Sequence, residues 1–168
     1  ETQGWLGQSI YLRDICGRED GAPPPVDLAA EKKFGAAVRD LVSGGELTAS
    51  HDVSDGGLLI ALAEMAMASG MGAKLDAAPL PSAHGFWFGE DQARYVVTAK
   101  ASGADQILKS LQSQHIPARK LGVVVGGDIA IAGEATVAVS DLSQRFESWL
   151  PDYMAGSDTI EGDTVRTK

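Results

Sequence analysis

Residues 46–69 constrain the fold of this chain more than any other stretch. Glu46-Leu47-Thr48-Ala49-Ser50 reads as a short extended run. His51-Asp52-Val53-Ser54-Asp55-Gly56-Gly57 follows as a polar turn with paired glycines. Residues 58–69 then form a helix whose only charge is Glu64, so it has no face for solvent and must be covered on two sides. Strand, turn and buried helix in that order belong to an α/β architecture. The helix start offers backbone N–H groups and roughly half a positive charge, which suits an anion. Asp52, Ser54 and Asp55 either cap this helix, at about 1 kcal/mol each, or hold a ligand or metal ion. The run is neither a GxGxxG loop nor a Walker loop, because no Gly-Lys-Ser/Thr follows.

The remaining elements alternate in the same way. Residues 27–42 form a helix with Asp27 as cap, Leu28, Phe34, Ala37, Val38 and Leu41 as apolar positions, and Gly44-Gly45 as the stop. Residues 72–75 form a short strand and residues 94–99 a longer one. Residues 104–114 form a helix with Ile107, Leu108 and Leu111 on one face. Residues 118–125 and 129–132 read as strands joined through Gly126-Gly127-Asp128, a hairpin signal. Residues 94–125 then make one strand–helix–strand unit. Residues 135–139 add a strand. Residues 141–150 close the domain as a helix capped by Asp141, with Leu142, Phe146, Trp149 and Leu150 on its apolar face and Pro151 as its stop. Residues 4–16 fit helix and strand equally well. Residues 17–25 and 77–85 are proline-containing loops. The whole predicts helices packed on a mixed sheet within one domain over residues 1–155, followed by a disordered polar tail over 156–168.

Composition excludes several classes of function. A length of 168 residues with 44% apolar and 22% charged residues suits one globular domain. A net charge of −9 argues against a nucleic-acid backbone or an anionic membrane surface as partner. No apolar run approaches the ~20 residues of a membrane span, and no signal peptide is visible. Cys16 is the single cysteine, so there is no internal disulfide, and the default compartment is the cytoplasm. The chain opens on Glu1 with mid-domain sequence and is expected to be a piece of a longer polypeptide.

A second polar island is Phe86-Trp87-Phe88-Gly89-Glu90-Asp91-Gln92-Ala93-Arg94, read as a turn at a sheet edge. Glu90 and Asp91 offer oxygen to a hard cation. Gln92 suits an amide, and Arg94 suits a phosphate held through two N–H groups. A solvated turn with an internal Arg94–carboxylate pair explains the same residues. His84 and His115 stand alone, and Met65, Met67 and Met71 are core filler. The candidate ligand-binding residues are His51, Asp52, Ser54, Asp55, Gly56, Gly57, Glu90, Gln92 and Arg94, expected to share one cleft. No residue is assigned a catalytic or metal-binding role.

Taken together, these motifs resemble a known family. The run from His51 to Leu58 with Ala61-Leu62-Ala63-Glu64-Met65-Ala66 resembles the last domain of the synthetase subunit of phosphoribosylformylglycinamidine synthase, small bacterial type. Phe88-Gly89-Glu90-Asp91-Gln92-Ala93-Arg94, Gly4-Trp5-Leu6-Gly7-Gln8-Ser9 with Tyr11-Leu12, and Leu121-Gly122-Val123-Val124 are similar to further signatures of that family, in the same order. The resemblance implies a C-terminal domain of the aminoimidazole ribonucleotide synthetase superfamily, three-layered α/β/α with a mixed, partly ferredoxin-like sheet. It implies an ATP- and magnesium-dependent ligase. That enzyme converts formylglycinamide ribonucleotide and ammonia to formylglycinamidine ribonucleotide. A glutaminase subunit supplies the ammonia and a small third subunit completes the complex.

The resemblance also implies that the catalytic histidine, the magnesium carboxylates and a Gly-Asn-Val-Ser loop lie in upstream domains. Glu90-Asp91-Gln92-Ala93-Arg94 resembles the auxiliary-half counterpart of a substrate-binding Glu-Ser-Gln-Glu-Arg motif, departing from it at Asp91 and Ala93. The chain is therefore expected to support an auxiliary cleft. It is expected to hold no cofactor tightly and to be inactive alone. The alternatives are a scaffold or dimerisation domain, or the same fold in a selenophosphate-synthetase-like or thiamine-monophosphate-kinase-like protein.

Overall fold

The computed structural model describes residues 2–79 and 82–156. Residues 4–16, open between helix and strand in the sequence, are irregular up to a single wide π-helical turn, Tyr11–Ile15. The first long helix, α1, spans Leu28–Ser43. Asp27 caps it as expected, accepting from the N–H groups of Ala29 and Ala30 at 3.0 Å each. Strand β1 spans Leu47–Asp52, so His51 and Asp52 belong to the strand and not to the turn. Helix α2 spans Gly57–Ser69, and β2 spans Ala73–Leu75. The loop expected over 77–85 gives way to a short helix, α3, Ala83–Phe88, capped by Ser82, with Pro81 outside the described residues. The aromatic run is thus helical and not part of a turn. Strand β3 (Tyr95–Ala99), helix α4 (Ala101–Ser113), strands β4 (Gly122–Val124), β5 (Asp128–Ile131) and β6 (Thr136–Ala138), and helix α5 (Val139–Ala155) complete the chain.

Two sheets organise these elements. Strands β1 and β3 pair antiparallel as a ribbon, with Asp52 opposite Tyr95 and Leu47 opposite Ala99. Helices α1 and α4 cover one face of it through Ala37, Leu41, Ile107, Leu111 and Ile116. Helix α2 lies against the other face. That makes three α/β/α layers about the ribbon. The second sheet is mixed, in the order β4-β2-β5-β6. Its Leu75, Ile129 and Ile131 join Val53, Leu58, Ala61, Phe86, Trp87 and Val96 in the larger core. Helix α2 packs against the ribbon and against α3 and α5. Ile60, Glu64 and Ala68 leave one strip of it open to solvent, so the expectation of no solvent face is corrected.

Three expectations are corrected here. The segments on either side of Gly126-Gly127 are not a hairpin, because β2 lies between them, antiparallel to β4 and parallel to β5. The connection crosses the start of β2, where Gly72 N–H donates to Gly126 O (2.8 Å) and Val125 N–H to Gly72 O (2.9 Å). A side chain at Gly72 would collide with the backbone of Asp128, so glycine is required by the close approach. Strands β3 and β4 lie in different sheets, so residues 94–125 are not one crossover unit. Helix α5 runs through Pro151 to Ala155, and its N-cap is Ala138, not Asp141. Proline deletes one intrahelical N–H bond, and the α5 residues around it are exposed, where solvent serves the freed carbonyl. The expected tail from residue 156 has residues 157–168 outside the described residues.

Candidate functional site

The chain brings the two polar islands together. Continuing the β1–β3 ladder, Val53 N–H donates to Arg94 O at 2.8 Å. Beyond it, the turn folds over the segment between α3 and β3. Gly56 N–H donates to Glu90 Oε1 at 2.8 Å, and a Cβ at Gly57 would lie 2.7 Å from the Phe88 carbonyl carbon. Gly56 and Gly57 hold φ of +79° and +76°, a conformation that side chains resist, so both glycines are backbone requirements. Helix α2 has Gly56 as its N-cap and receives no side-chain capping bond. Asp52, Ser54 and Asp55 therefore do not cap it, and all three are exposed.

The second island acts largely on the chain itself. Glu90 Oε1 accepts from Gly56 N–H and also from Ile10 N–H (2.9 Å), while Glu90 N–H donates to Trp5 O (3.0 Å). Asp91 accepts from the Thr2 hydroxyl, from Gln3 N–H (3.1 Å) and from Trp5 N–H (3.5 Å). Arg94 Nη1 donates to Gly89 O at 3.0 Å and lies 3.6 Å from Asp91 Oδ2. Its side chain is 11% exposed, and burial lowers its pKa from the ordinary arginine value against the opposing pull of Asp91. It remains a cation and braces the turn from within. Ala93 supports the brace at a φ of +59°. Gln92 is exposed.

His51, at the end of β1, places Nδ1 2.6 Å from Asp52 O and Nε2 3.4 Å from Glu64 Oε2. The expected residues thus divide by depth. Gly56, Gly57, Glu90 and Arg94 form a hydrogen-bonded frame, and Asp52, Ser54, Asp55 and Gln92 stand on its outer rim with His51 half-buried beside them. No group of three or more His, Cys, Asp or Glu among the described residues is placed to hold a metal ion. Sequence reasoning missed the contribution of residues 2–10. Its signal was the Gly4-Trp5-Leu6-Gly7-Gln8-Ser9 run: Asp91 accepts from Trp5 N–H inside it and from Gln3 N–H before it, and Glu90 accepts from Ile10 N–H just after it. A cavity of about 210 Å³ lies against Gln8, Ser9, Arg13, Arg18 and Glu19. Both arginines there are already paired, with Asp14 and Asp20.

Known proteins are similar to this chain in sequence and in fold. The chain is 60% identical over 158 residues to the phosphoribosylformylglycinamidine synthase subunit PurL of Bradyrhizobium sp. strain BTAi1, covering 94% of this chain and 22% of that protein. It is 55% identical over 157 residues to PurL of Methylocella silvestris, covering 94% of this chain and 21% of the relative. The chain thus spans about a fifth of the length of these curated relatives. Among solved structures it is similar to Thermotoga maritima PurL complexed with ADP (TM-score 0.64, 19% identity, 83% of this chain, 24% of that one). It is also similar to PurLQS from the same organism (TM-score 0.63, 22% identity, 78% of this chain, 24% of that one). At these identities the two structures share the fold. The family model of the AIR synthase related protein C-terminal domain matches residues 1–133. That match takes in the ribbon, the glycine turn, the Glu90–Arg94 frame and the mixed sheet through β5, and the chain belongs to the family of AIR synthase related protein C-terminal domains.

Proposed function

We propose that this chain is the C-terminal domain, over residues 1–155, of a phosphoribosylformylglycinamidine synthase synthetase subunit of the small bacterial type. The intact enzyme, in the cytoplasm, converts formylglycinamide ribonucleotide, ATP and ammonia to formylglycinamidine ribonucleotide. ATP and Mg²⁺ act in the whole polypeptide, with a glutaminase subunit and a small third subunit as partners. The observation that carries this reading is the 60% identity over 158 residues to a PurL chain. Within the enzyme this domain supports an auxiliary nucleotide cleft. His51, Asp52, Ser54, Asp55 and Gln92 are the side chains that a ligand would meet, and Gly56, Gly57, Glu90 and Arg94 hold the backbone in place beneath them. The division of the site into an inner frame and an outer rim supports that assignment.

The test is a domain exchange. This chain replaces the matching segment of the Bradyrhizobium PurL, and amidine formation is followed from formylglycinamide ribonucleotide, ATP and ammonia. A working chimera is expected. A soluble, folded chimera without turnover overturns the reading.

A further inference from the structure

The second half of α5 carries large apolar side chains that the described structure leaves bare. Phe146, Trp149, Leu150, Tyr153 and Met154 are 71%, 60%, 56%, 56% and 76% exposed. Their spacing puts them on one face of the helix. The rings of Trp149 and Tyr153 are stacked at 5.6 Å and 12°, so part of the face is already ordered. The start of α5 behaves differently: Val139 is buried and Leu142 packs on the main core. The helix leaves the core after its first turn and carries a core-type pattern outward.

Three observations decide what covers this face. The family match ends at residue 133, before α5 begins. The Bradyrhizobium PurL match leaves out only ten residues and so takes in α5, which ends thirteen residues before Lys168. The helix therefore belongs to what PurL chains carry beyond the shared domain. Next, the five side chains expose on the order of 500 Å², enough for a functional patch. That is below the ~800 Å² per partner of a stable interface between separate molecules. A tethered occupant needs less area, because the tether supplies effective concentration. Finally, the whole chain carries −9, so a second copy would set acid against acid.

We propose that this face is an intramolecular docking surface. Its occupant is an apolar groove with a neutral or basic rim, elsewhere in the same intact polypeptide. The inference rests on the reading of this chain as one part of a PurL-type synthetase, of whose relative it spans 22%.

Hydroxyl-radical footprinting of the intact polypeptide tests it, with a synthetic peptide of residues 144–156 as the bare reference. Oxidation of Trp149, Tyr153 and Met154 is expected to be slowed about tenfold, as for side chains moved into a close-packed contact. The protection should persist on dilution. Oxidation at the peptide's rate overturns the proposal. So does protection that disappears on dilution, which assigns the face to a second copy, or protection that needs an added protein. Trp149→Glu in the intact polypeptide should lower its Tm and restore fast oxidation of Met154, and a variant that changes neither overturns the proposal as well. Amidine turnover measured on the same sample separates the two claims. Protection without turnover counts against the synthetase reading alone, and turnover with a bare face counts against docking alone.

Discussion

Gly57 does two things that no other residue can do there. It holds φ at +76°, and it lets the backbone of Phe88 and Gly89 approach to within 3 Å of where a Cβ would stand. Gly57→Val should therefore cost about 1–3 kcal/mol from backbone strain alone, with the clash added. A urea midpoint equal to wild type would show the turn to be less constrained than it looks. Tyr95 makes a different demand. Its hydroxyl donates to Glu31 Oε1 at 2.7 Å, tying β3 to α1. That bond, and after it burial, raise the phenol's pKa above its ordinary value. A raised pKa means that the folded state prefers the protonated phenol. The stabilisation is present in full below the ordinary value near 10 and is lost as pH rises through the raised one. Unfolding midpoints between pH 8 and 11 should fall more steeply for wild type than for Tyr95→Phe. Parallel curves would exclude the bond as the cause.

At the scale of elements, Glu90 joins three pieces of chain that lie far apart in sequence: residues 5–10, the turn before α2, and the segment leading into β3. Glu90→Ala should cost about 1–3 kcal/mol, since it strips a carboxylate from two backbone donors. Amide exchange at Ile10 and Gly56 should accelerate together, and Glu90→Gln, which keeps an acceptor oxygen, should cost less. Exchange rising at only one of the two sites would break the claim of a shared anchor. The helices were legible wherever a local cap or a full apolar face announced them, as at Asp27 and along α2 and α4. The turn and the Glu90–Arg94 segment were legible as partners because both are polar islands at strand ends. What sequence did not reveal were the pairings. Gly126-Gly127-Asp128 spells a hairpin locally, and only the insertion of β2, from fifty residues earlier, turns it into a crossover. Helix α3 hid behind Pro79, Pro81, Gly85 and Gly89, four residues that usually mark loops. Burial of Glu90 and Arg94 in contacts with the backbone was invisible for a related reason, since the donors belong to residues whose side chains give no hint of it.

Over the whole molecule, the two apolar clusters differ in size. Among the described residues, the one under α1 and α4 has five buried residues, and the one around α2 and the mixed sheet has eleven. The smaller cluster has less apolar area to hold it closed. Amides of α1 and α4 are expected to exchange faster than those of α2 and β5, and uniform protection would contradict that order. Trp87, 2% exposed at the heart of the larger cluster, should cost about 3–5 kcal/mol as Trp87→Ala. A purified sample of the 168 residues should form no amidine from formylglycinamide ribonucleotide, ATP and ammonia. The carboxylates of Glu90 and Asp91 are already engaged by the chain's own N–H groups, and measurable turnover would refute this. The placement of β2 also says something about synthesis. Both neighbours of β2 come from residues 122–131, so a chain growing from its N-terminus makes Ala73-Lys74-Leu75 long before either partner exists. Until β4 has been made, that strand presents two open edges, and until Ile131 has been made at least one, to anything nearby, a ribosomal neighbour or a chaperone included. The sheet can close only in a late, concerted step, when β4 and β5 settle on its two sides. A chain released early, short of β5, would keep one edge bare.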